Sequence, residues 1–148
     1  MAARRRTASR RPRPNLEFNH AMIYTRDLAR ALAFYEDALD FRVVDSYPGA
    51  YARLTSPKGG TTIALHCLDA GQRMTASSEG VRLYFEVRSL DAFCKSLQER
   101  GVAFDQPPRD MPWGWRHAYL RDPDGHQLSL YWAGKARLKP TTMRGADR

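Results

Sequence analysis

Short runs in which apolar and polar residues alternate predict most of the strands in this chain. The clearest is 82–87, where every second side chain is apolar, a period that gives a strand one buried face. The apolar set is Leu83, Phe85 and Val87, and the opposite set is Arg82, Tyr84 and Glu86. The same pattern predicts further strands at 20–24, 41–46, 51–54, 62–67, 115–121 and 127–132.

Two segments show helical spacing instead. Apolar residues recur every three or four positions in 27–39 and in 89–100, which predicts two helices that each bury one face. Asp27 and Ser89 stand just before these runs, and both residue types are preferred at helix N-caps. Gly101 follows the second run, where a left-handed residue commonly ends a helix.

These elements occur twice in the same order. Residues 54–59 and the strand after them reappear as residues 120–125 and their following strand, and each copy is preceded by a strand and a helix. The repeat of about 65 residues is too long for a solenoid unit. The chain is therefore predicted to be an α+β protein of two tandem βαβββ modules, 17–68 and 80–133, with a cavity between them.

The two modules are predicted to form one domain, 15–134, flanked by basic tails. A chain of 148 residues that is 43% hydrophobic can bury a substantial core in one domain. Its formal net charge of +8 lies in the tails, because 1–14 carry +6 and 135–148 carry +4, which leaves −2 elsewhere. We expect the N-terminal tail to be disordered, and both tails to allow only weak, non-specific contact with nucleic acid.

The same composition sets expectations about location. No apolar run approaches the ~20 residues that a membrane-spanning helix needs, and the first residues lack the apolar middle of a secretory signal. Cys67 and Cys94 are too few for a disulfide framework. We expect a cytoplasmic protein with no membrane partner.

Particular residues within this order resemble the vicinal oxygen chelate superfamily, which includes glyoxalase I, the bleomycin-resistance proteins, the extradiol dioxygenases and several epimerases. His20 on the first strand and the Phe34-Tyr35 pair on the capped helix match the family's opening. The Asp-Pro-Asp-Gly turn at 122–125 matches its closing feature. The resemblance covers 17–133 and implies a cup of two curled sheets with the helices outside, and a homodimer.

Members of this family usually hold a divalent metal in the cup, with ligands from the first and last strand of each half. The resemblance places the four ligand positions at His20, Ala64, Arg82 and Ser129. Of these, His20 alone is a good ligand, whereas a catalytic divalent ion normally needs about three protein ligands. The resemblance therefore does not carry the usual metal-dependent mechanism over to this chain.

Strand alternation predicts which side chains line the cup rather than pack on the helices. They are His20, Met22, Tyr24, Thr62, Ala64, His66, Arg82, Tyr84, Glu86, Gln127, Ser129 and Tyr131. A tight hairpin at 122–125 would pair Arg116 with Tyr131, which adds Arg116 to the cup and turns His117 toward the helices; one bulge would reverse both. Aromatic side chains with a few polar groups are typical of a small-molecule pocket.

Several of these residues have alternative roles. His20 and His66 share a face and are candidate ligands for one ion. Arg82 is a candidate clamp for an anionic oxygen, or a structural partner of Glu86. Glu86 is also a candidate general base, paired with His20 as a candidate acid–base group. Trp113 is a candidate stacking platform over a flat ligand.

Two functions follow from these assignments. The one we favour is a protein that binds a small aromatic or anionic molecule without a metal, with contacts from His66, Arg82, Tyr84, Trp113, Arg116, Ser129 and Tyr131. The alternative is a glyoxalase-like lyase, isomerase or dioxygenase. It would hold Fe, Zn, Ni or Mn on His20 and His66 and use His20 and Glu86 in catalysis.

Overall fold

The computed structural model describes residues 18–74, the first half, and residues 80–134, the second half. The first half contains β1 (His20–Thr25), α1 (Leu28–Ala33), a π-helical turn (Phe34–Ala38), β2 (Arg42–Tyr47), β3 (Tyr51–Thr55) and β4 (Thr62–Cys67). The second half contains β5 (Arg82–Glu86), α2 (Leu90–Glu99), β6 (Phe104–Asp110), β7 (Arg116–Arg121) and β8 (Gln127–Trp132). The predicted tails, 1–14 and 135–148, lie outside the described residues.

Each half forms a four-stranded mixed sheet with the same topology. The strand orders are β1-β4-β3-β2 and β5-β8-β7-β6, with the first pair parallel and the others antiparallel. The predicted α+β fold is confirmed: tandem βαβββ modules form a cup of two curled sheets that do not close, with helices outside. No helix of residues 18–74 and 80–134 is long and apolar enough to cross a membrane.

One face of each sheet packs on the helices, and this face contains the predicted apolar residues. Ile23, Leu65, Leu128 and Leu130 belong to a single buried cluster that also includes side chains of both helices. Because side chains alternate along a strand, burial of this face leaves the opposite face of the same strands to line the cup. We call that opposite face the cup face.

The turn between β7 and β8 joins the two halves through a buried carboxylate. Asp122 Oδ2 accepts a hydrogen bond from the Tyr35 hydroxyl at 2.9 Å and lies 2.7 Å from His126 Nδ1. Its Oδ1 accepts from the backbone N–H groups of Asp124 and His126. Burial raises the pKa of Tyr35 well above its usual value, and Asp122 adds to this, so the hydroxyl stays protonated as a donor.

A second carboxylate in this turn extends the contact to the end of β1. Asp124 Oδ2 accepts from the Thr25 hydroxyl at 2.5 Å, and its Oδ1 accepts from the Arg26 backbone N–H at 2.9 Å. On the helix side, the guanidinium of Arg100 donates to the backbone carbonyls of Asp37 and Ala38, at the end of the π-helical turn. We call the turn with Asp122, Asp124 and His126 the clasp.

The clasp also explains a one-residue error in the predicted register of the last hairpin. The predicted pair was Arg116 with Tyr131, but β7 pairs His117 with Tyr131 and Arg116 with Trp132. Gly125 adopts a φ of 90°, and the Asp122 N–H bonds to the carbonyl of residue 126, so the turn contains one extra residue. Arg116 therefore faces the helices, and His117 lies on the cup face.

Strand β6 is an element that the apolar–polar pattern did not specify. Its sequence contains Pro107 and Pro108, which cannot donate to a strand ladder. The structure accommodates them because β6 is an edge strand, and the β6–β7 register shifts between Gln106 and Arg109. The prolines thus occupy an irregularity where the missing N–H groups break no regular pairing.

We predict that the clasp makes stability depend on pH at both ends of the range. The hydrogen bond with Asp122 raises the pKa of His126, so its stabilisation is complete below about pH 6.5 and is lost as pH rises through the raised pKa. Burial alone would raise the pKa of Asp122, but hydrogen bonds from His126 and Tyr35 hold it below its usual value. The Asp122 contribution is therefore lost only as pH falls through that lowered pKa.

The variant His126→Asn removes the group to which the loss of stability at rising pH is assigned. The wild-type Tm should fall more than the variant's between about pH 6 and about pH 9, measured by scanning calorimetry. His66→Asn, which changes a histidine outside the clasp, should keep the wild-type slope. Equal slopes in wild type and His126→Asn would contradict the prediction.

Tyr35→Phe should lower the free energy of unfolding by about 1–3 kcal/mol, because a buried carboxylate oxygen loses one of its two hydrogen-bond partners. Tyr47→Phe is the matched control, since Tyr47 lies on β2 with 71% of its surface exposed. The control should change stability by less than about 0.5 kcal/mol in urea denaturation. Equally small effects for both variants would show that the Tyr35 hydroxyl does not anchor the clasp.

Candidate functional site

The strand registers place the predicted cup residues side by side. In the first half, His20 pairs with Thr62, and Tyr24 pairs with His66. In the second half, Arg82 pairs with Gln127, Tyr84 with Ser129 and Glu86 with Tyr131. Met22 and Tyr24 are 41% and 43% exposed, so the cup face is accessible.

The second half carries an aromatic stack on the cup face. The Trp115 and Tyr131 rings lie 5.2 Å apart at 14°, and the Tyr131 and His117 rings lie 5.5 Å apart at 19°. Tyr84 approaches Tyr131 edge-on at 5.9 Å. Neighbouring strands project these side chains from one face, because His117 on β7 is the register partner of Tyr131 on β8. We call Trp115, Tyr131, His117 and Tyr84 the aromatic wall.

Hydrogen bonds hold the imidazole of this wall in one tautomer. His117 Nε2 accepts from the Trp113 indole N–H at 3.3 Å, and Nδ1 lies 2.9 Å from Ser129 Oγ. Because an indole can only donate, Nε2 carries no proton and the neutral ring must donate from Nδ1 to Ser129. Burial, and then the charge of Arg82, lower the pKa of His117. His117 is therefore an uncharged imidazole buried within the wall.

This network assigns different roles to two predicted ligand-binding residues. Ser129 is fully buried, so its hydroxyl positions His117 from behind the wall rather than facing the cup opening. Trp113 is 42% exposed, in the loop before β7, and its indole N–H is bound to His117. Trp113 is thus an accessible aromatic surface at the edge of the wall.

Arg82 lies beside the wall with neutral partners. Its Nε and one terminal NH₂ donate to Gln127 Oε1 at 3.2 and 2.5 Å, and its guanidinium carbon stands 4.3 Å from the centre of the Tyr119 ring. Glu86 is four residues further along β5, ~13 Å at ~3.3 Å per residue. No ion pair between described residues includes Arg82, so the predicted alternative of a bridge to Glu86 is not formed.

In the first half, an arginine that the sequence analysis missed lies against His20. Arg53 Nε donates to Thr62 Oγ1 at 3.1 Å, and one NH₂ donates to Asn19 Oδ1 and lies 3.1 Å from His20 Nδ1. Arg53 is the β3 register partner of Ala64, so it shares the cup face. Alternation along the predicted strand 51–54 contained this signal, because Tyr51 and Arg53 fall on the face opposite Ala52 and Leu54.

Arg116, predicted to bind ligand, lies on the outside of the second sheet. It forms ion pairs with Asp91 of α2 at 2.7 Å and with Asp110 at 3.0 Å. The extra residue in the clasp turn is the reason, because it rotates β7 by one position relative to β8. Arg116 therefore ties α2 to the sheet and does not line the cup.

The comparisons with known proteins agree with this architecture. A family model, the Glyoxalase/Bleomycin resistance protein/Dioxygenase superfamily, matches residues 17–130. The chain belongs to this superfamily. The uncharacterized protein YwkD of Bacillus subtilis (strain 168), also a relative, is 32% identical over 120 residues, which span 76% of this chain and 94% of YwkD.

Solved structures extend the comparison. A superfamily member from Sphaerobacter thermophilus DSM 20745 is 29% identical, with a TM-score of 0.66 over 79% of this chain and 97% of that one. The lactoylglutathione lyase of Agrobacterium tumefaciens is 19% identical, with a TM-score of 0.65 over 81% and 96% of the two chains. At 19% identity, the likeness to the lactoylglutathione lyase concerns the fold alone.

The superfamily often uses a divalent metal, but the residues at its usual ligand positions do not fit one. Ala64 has no donor atom, Arg82 is a cation, and the Ser129 hydroxyl is buried and bound to His117. His20 has the Arg53 guanidinium 3.1 Å from Nδ1, and this positive charge beside the imidazole disfavours a cation there. These four positions therefore supply no set of metal ligands.

The predicted sharing of one ion by His20 and His66 is not supported by the register. His20 pairs with Thr62, four residues from His66 along β4, ~13 Å at ~3.3 Å per residue. Within residues 18–74 and 80–134, the clasp is the place where three potential ligand side chains meet. Its Asp122 and Asp124 carboxylates already accept hydrogen bonds from the protein, so the cluster acts in joining the halves.

We predict that the positive charge of Arg82 contributes to the lowered pKa of His117. Arg82→Gln should raise the pKa of His117, because a cation nearby disfavours the imidazolium and its removal relieves that repulsion. An NMR titration of the imidazole resonances measures this pKa. Arg30→Gln, which removes an exposed charge from α1, is the control that should leave the pKa unchanged. An identical His117 pKa in wild type and Arg82→Gln would contradict the arrangement.

Proposed function

We propose that this superfamily member binds a small aromatic anion, such as an aromatic carboxylate, in its cup. Arg82 supplies the counter-charge, and the aromatic wall with Trp113 supplies the surface against which a flat ring stacks. No metal ion takes part, although Arg82 itself stands at one of the family's usual ligand positions. The homodimer implied by the family resemblance belongs to this proposal as the expected assembly.

The observation that carries the proposal is an arginine, beside an accessible aromatic surface, with no acidic partner among the described residues. Arg82 is exposed and bonded to the neutral Gln127, so donors of its guanidinium remain for a ligand oxygen. Tyr84, two residues along β5, is 53% exposed. A planar guanidinium next to aromatic faces is suited to a planar carboxylate on an aromatic ring.

The metal-dependent enzyme considered from the sequence receives less support. It required His20 and His66 to hold one ion, and the strand register separates them by four residues. It also required an acid–base pair of His20 and Glu86, which lie at opposite ends of β1 and β5. We therefore propose binding rather than metal-assisted turnover.

A titration with 1-naphthoate, followed by tryptophan fluorescence, tests the proposal. Arg82→Gln should weaken binding by about 1.5–3 kcal/mol, or about ten- to 150-fold in Kd, because a charged hydrogen bond is lost. Arg82→Lys should lose less, since it keeps the charge but not the guanidinium fork. The neutral isostere 1-naphthamide should bind wild type about as weakly as 1-naphthoate binds Arg82→Gln.

Arg30→Gln serves as the charge-matched control and should bind 1-naphthoate like the wild type. Circular dichroism of each variant verifies that the fold is retained. Wild-type protein that fails to bind 1-naphthoate, or an Arg82→Gln variant with the wild-type Kd, would overturn the proposed function.

A further inference from the structure

We infer that the cup contains a second anion subsite, built by Arg53 with Asn19, His20 and Thr62 in the first half. The ligand is then a diacid that presents one acidic group to each half of the protein. This inference rests on the proposed function, because it adds a second contact to the same cup, and it narrows the ligand from aromatic anions to aromatic dianions.

Arg53, like Arg82, has only neutral partners among the described residues. Its Nε and one NH₂ bind Thr62 and Asn19, and the imidazole of His20 stands beside it. None of the ion pairs in 18–74 and 80–134 includes Arg53. A guanidinium has five N–H donors, so Arg53 retains donors for a ligand while its position is held from one side.

The two halves hold these arginines at equivalent places in the fold. Thr62 and Gln127 are the first residues of β4 and β8, and each accepts a hydrogen bond from the Nε of an arginine. In the second half that arginine is Arg82, the first residue of β5. In the first half it is Arg53, which reaches His20, the first residue of β1. Both guanidinium groups thus lie at the start of the parallel strand pair of their half.

The arginine and the aromatic ring come from different strands in the two halves. The first half has an aromatic ring on β1, His20, and the arginine on β3; the second has the arginine on β5 and an aromatic ring, Tyr119, on β7. Arg53 and Tyr119 are equivalent, since their register partners are Ala64 and Ser129. Each half therefore presents one guanidinium against one ring at equivalent positions of the cup face.

Two other arginines of the second sheet already have acidic partners. Arg121 pairs with Asp105 at 3.0 Å, and Arg116 pairs with Asp91 at 2.7 Å. Arg53 and Arg82 differ from these because no carboxylate of the described residues lies within ion-pair distance. A guanidinium on the cup face of each half favours a ligand that brings one negative charge to each.

The test compares 1-naphthoate with three dicarboxylates, the 1,4-, 1,5- and 2,6-naphthalenedicarboxylates, on the full chain at constant ionic strength. The dicarboxylate with the best spacing should bind wild type about tenfold or more tightly than 1-naphthoate, as expected for a second charged hydrogen bond. Arg53→Gln should abolish this gain and leave the 1-naphthoate Kd within about twofold. Arg121→Gln, the matched control on a neutralised arginine, should keep the gain.

Arg53→Lys is a second variant, which keeps the positive charge without the guanidinium fork, and it should retain part of the gain. It takes the place of Arg53→Gln if that variant does not fold. Binding of 1-naphthoate that depends on Arg82, together with no tighter binding of any dicarboxylate, would overturn the second subsite alone. A dicarboxylate gain that persists in Arg53→Gln would do the same. Absence of 1-naphthoate binding by wild type would instead overturn the proposed function on which the subsite rests.

Discussion

The buried carboxylate of Asp122 is the interaction on which the arrangement of the two halves depends. A charge in this position is unfavourable unless hydrogen bonds compensate it, and its donors come from its own turn and from Tyr35 of the first half. The first half therefore supplies part of the hydrogen bonding that this carboxylate needs. Asp124 adds the end of β1 to the same contact. The clasp thus sets how the two cup faces meet.

With the halves joined, the chemistry of the cup follows from which side chains the alternation exposes. The second half presents stacked rings and Arg82, whereas the first presents Arg53 beside His20. Where other members of the superfamily often have a metal ion as the positive charge, this chain has guanidinium groups at the corresponding part of the fold. Guanidinium groups bind oxyanions through directed hydrogen bonds and provide no open coordination site. These groups are therefore suited to the proposed binding of an oxyanion.

Much of this could be predicted from the sequence, because strand alternation and the internal repeat are local patterns. They identified the buried face of β1, β4, β5 and β8. They also identified the twelve residues of these strands that share the opposite, cup face. The position of Arg116 could not be predicted, since one extra residue in the clasp turn reverses which face β7 presents. Strand β6 was not recognised, because Pro107 and Pro108 are tolerated only at an irregular edge. The contact of Arg53 with His20 depends on a register between strands that no local pattern encodes.

The most direct test of the account is to measure metal content and 1-naphthoate affinity on the same preparation of untagged protein, before and after dialysis against a chelator. The account predicts metal far below one ion per chain, by plasma mass spectrometry, and a Kd that dialysis does not change. Near-stoichiometric metal that resists mild dialysis and is lost in His20→Ala would contradict it, because the positive charge of the cup would then belong to an ion rather than to arginine.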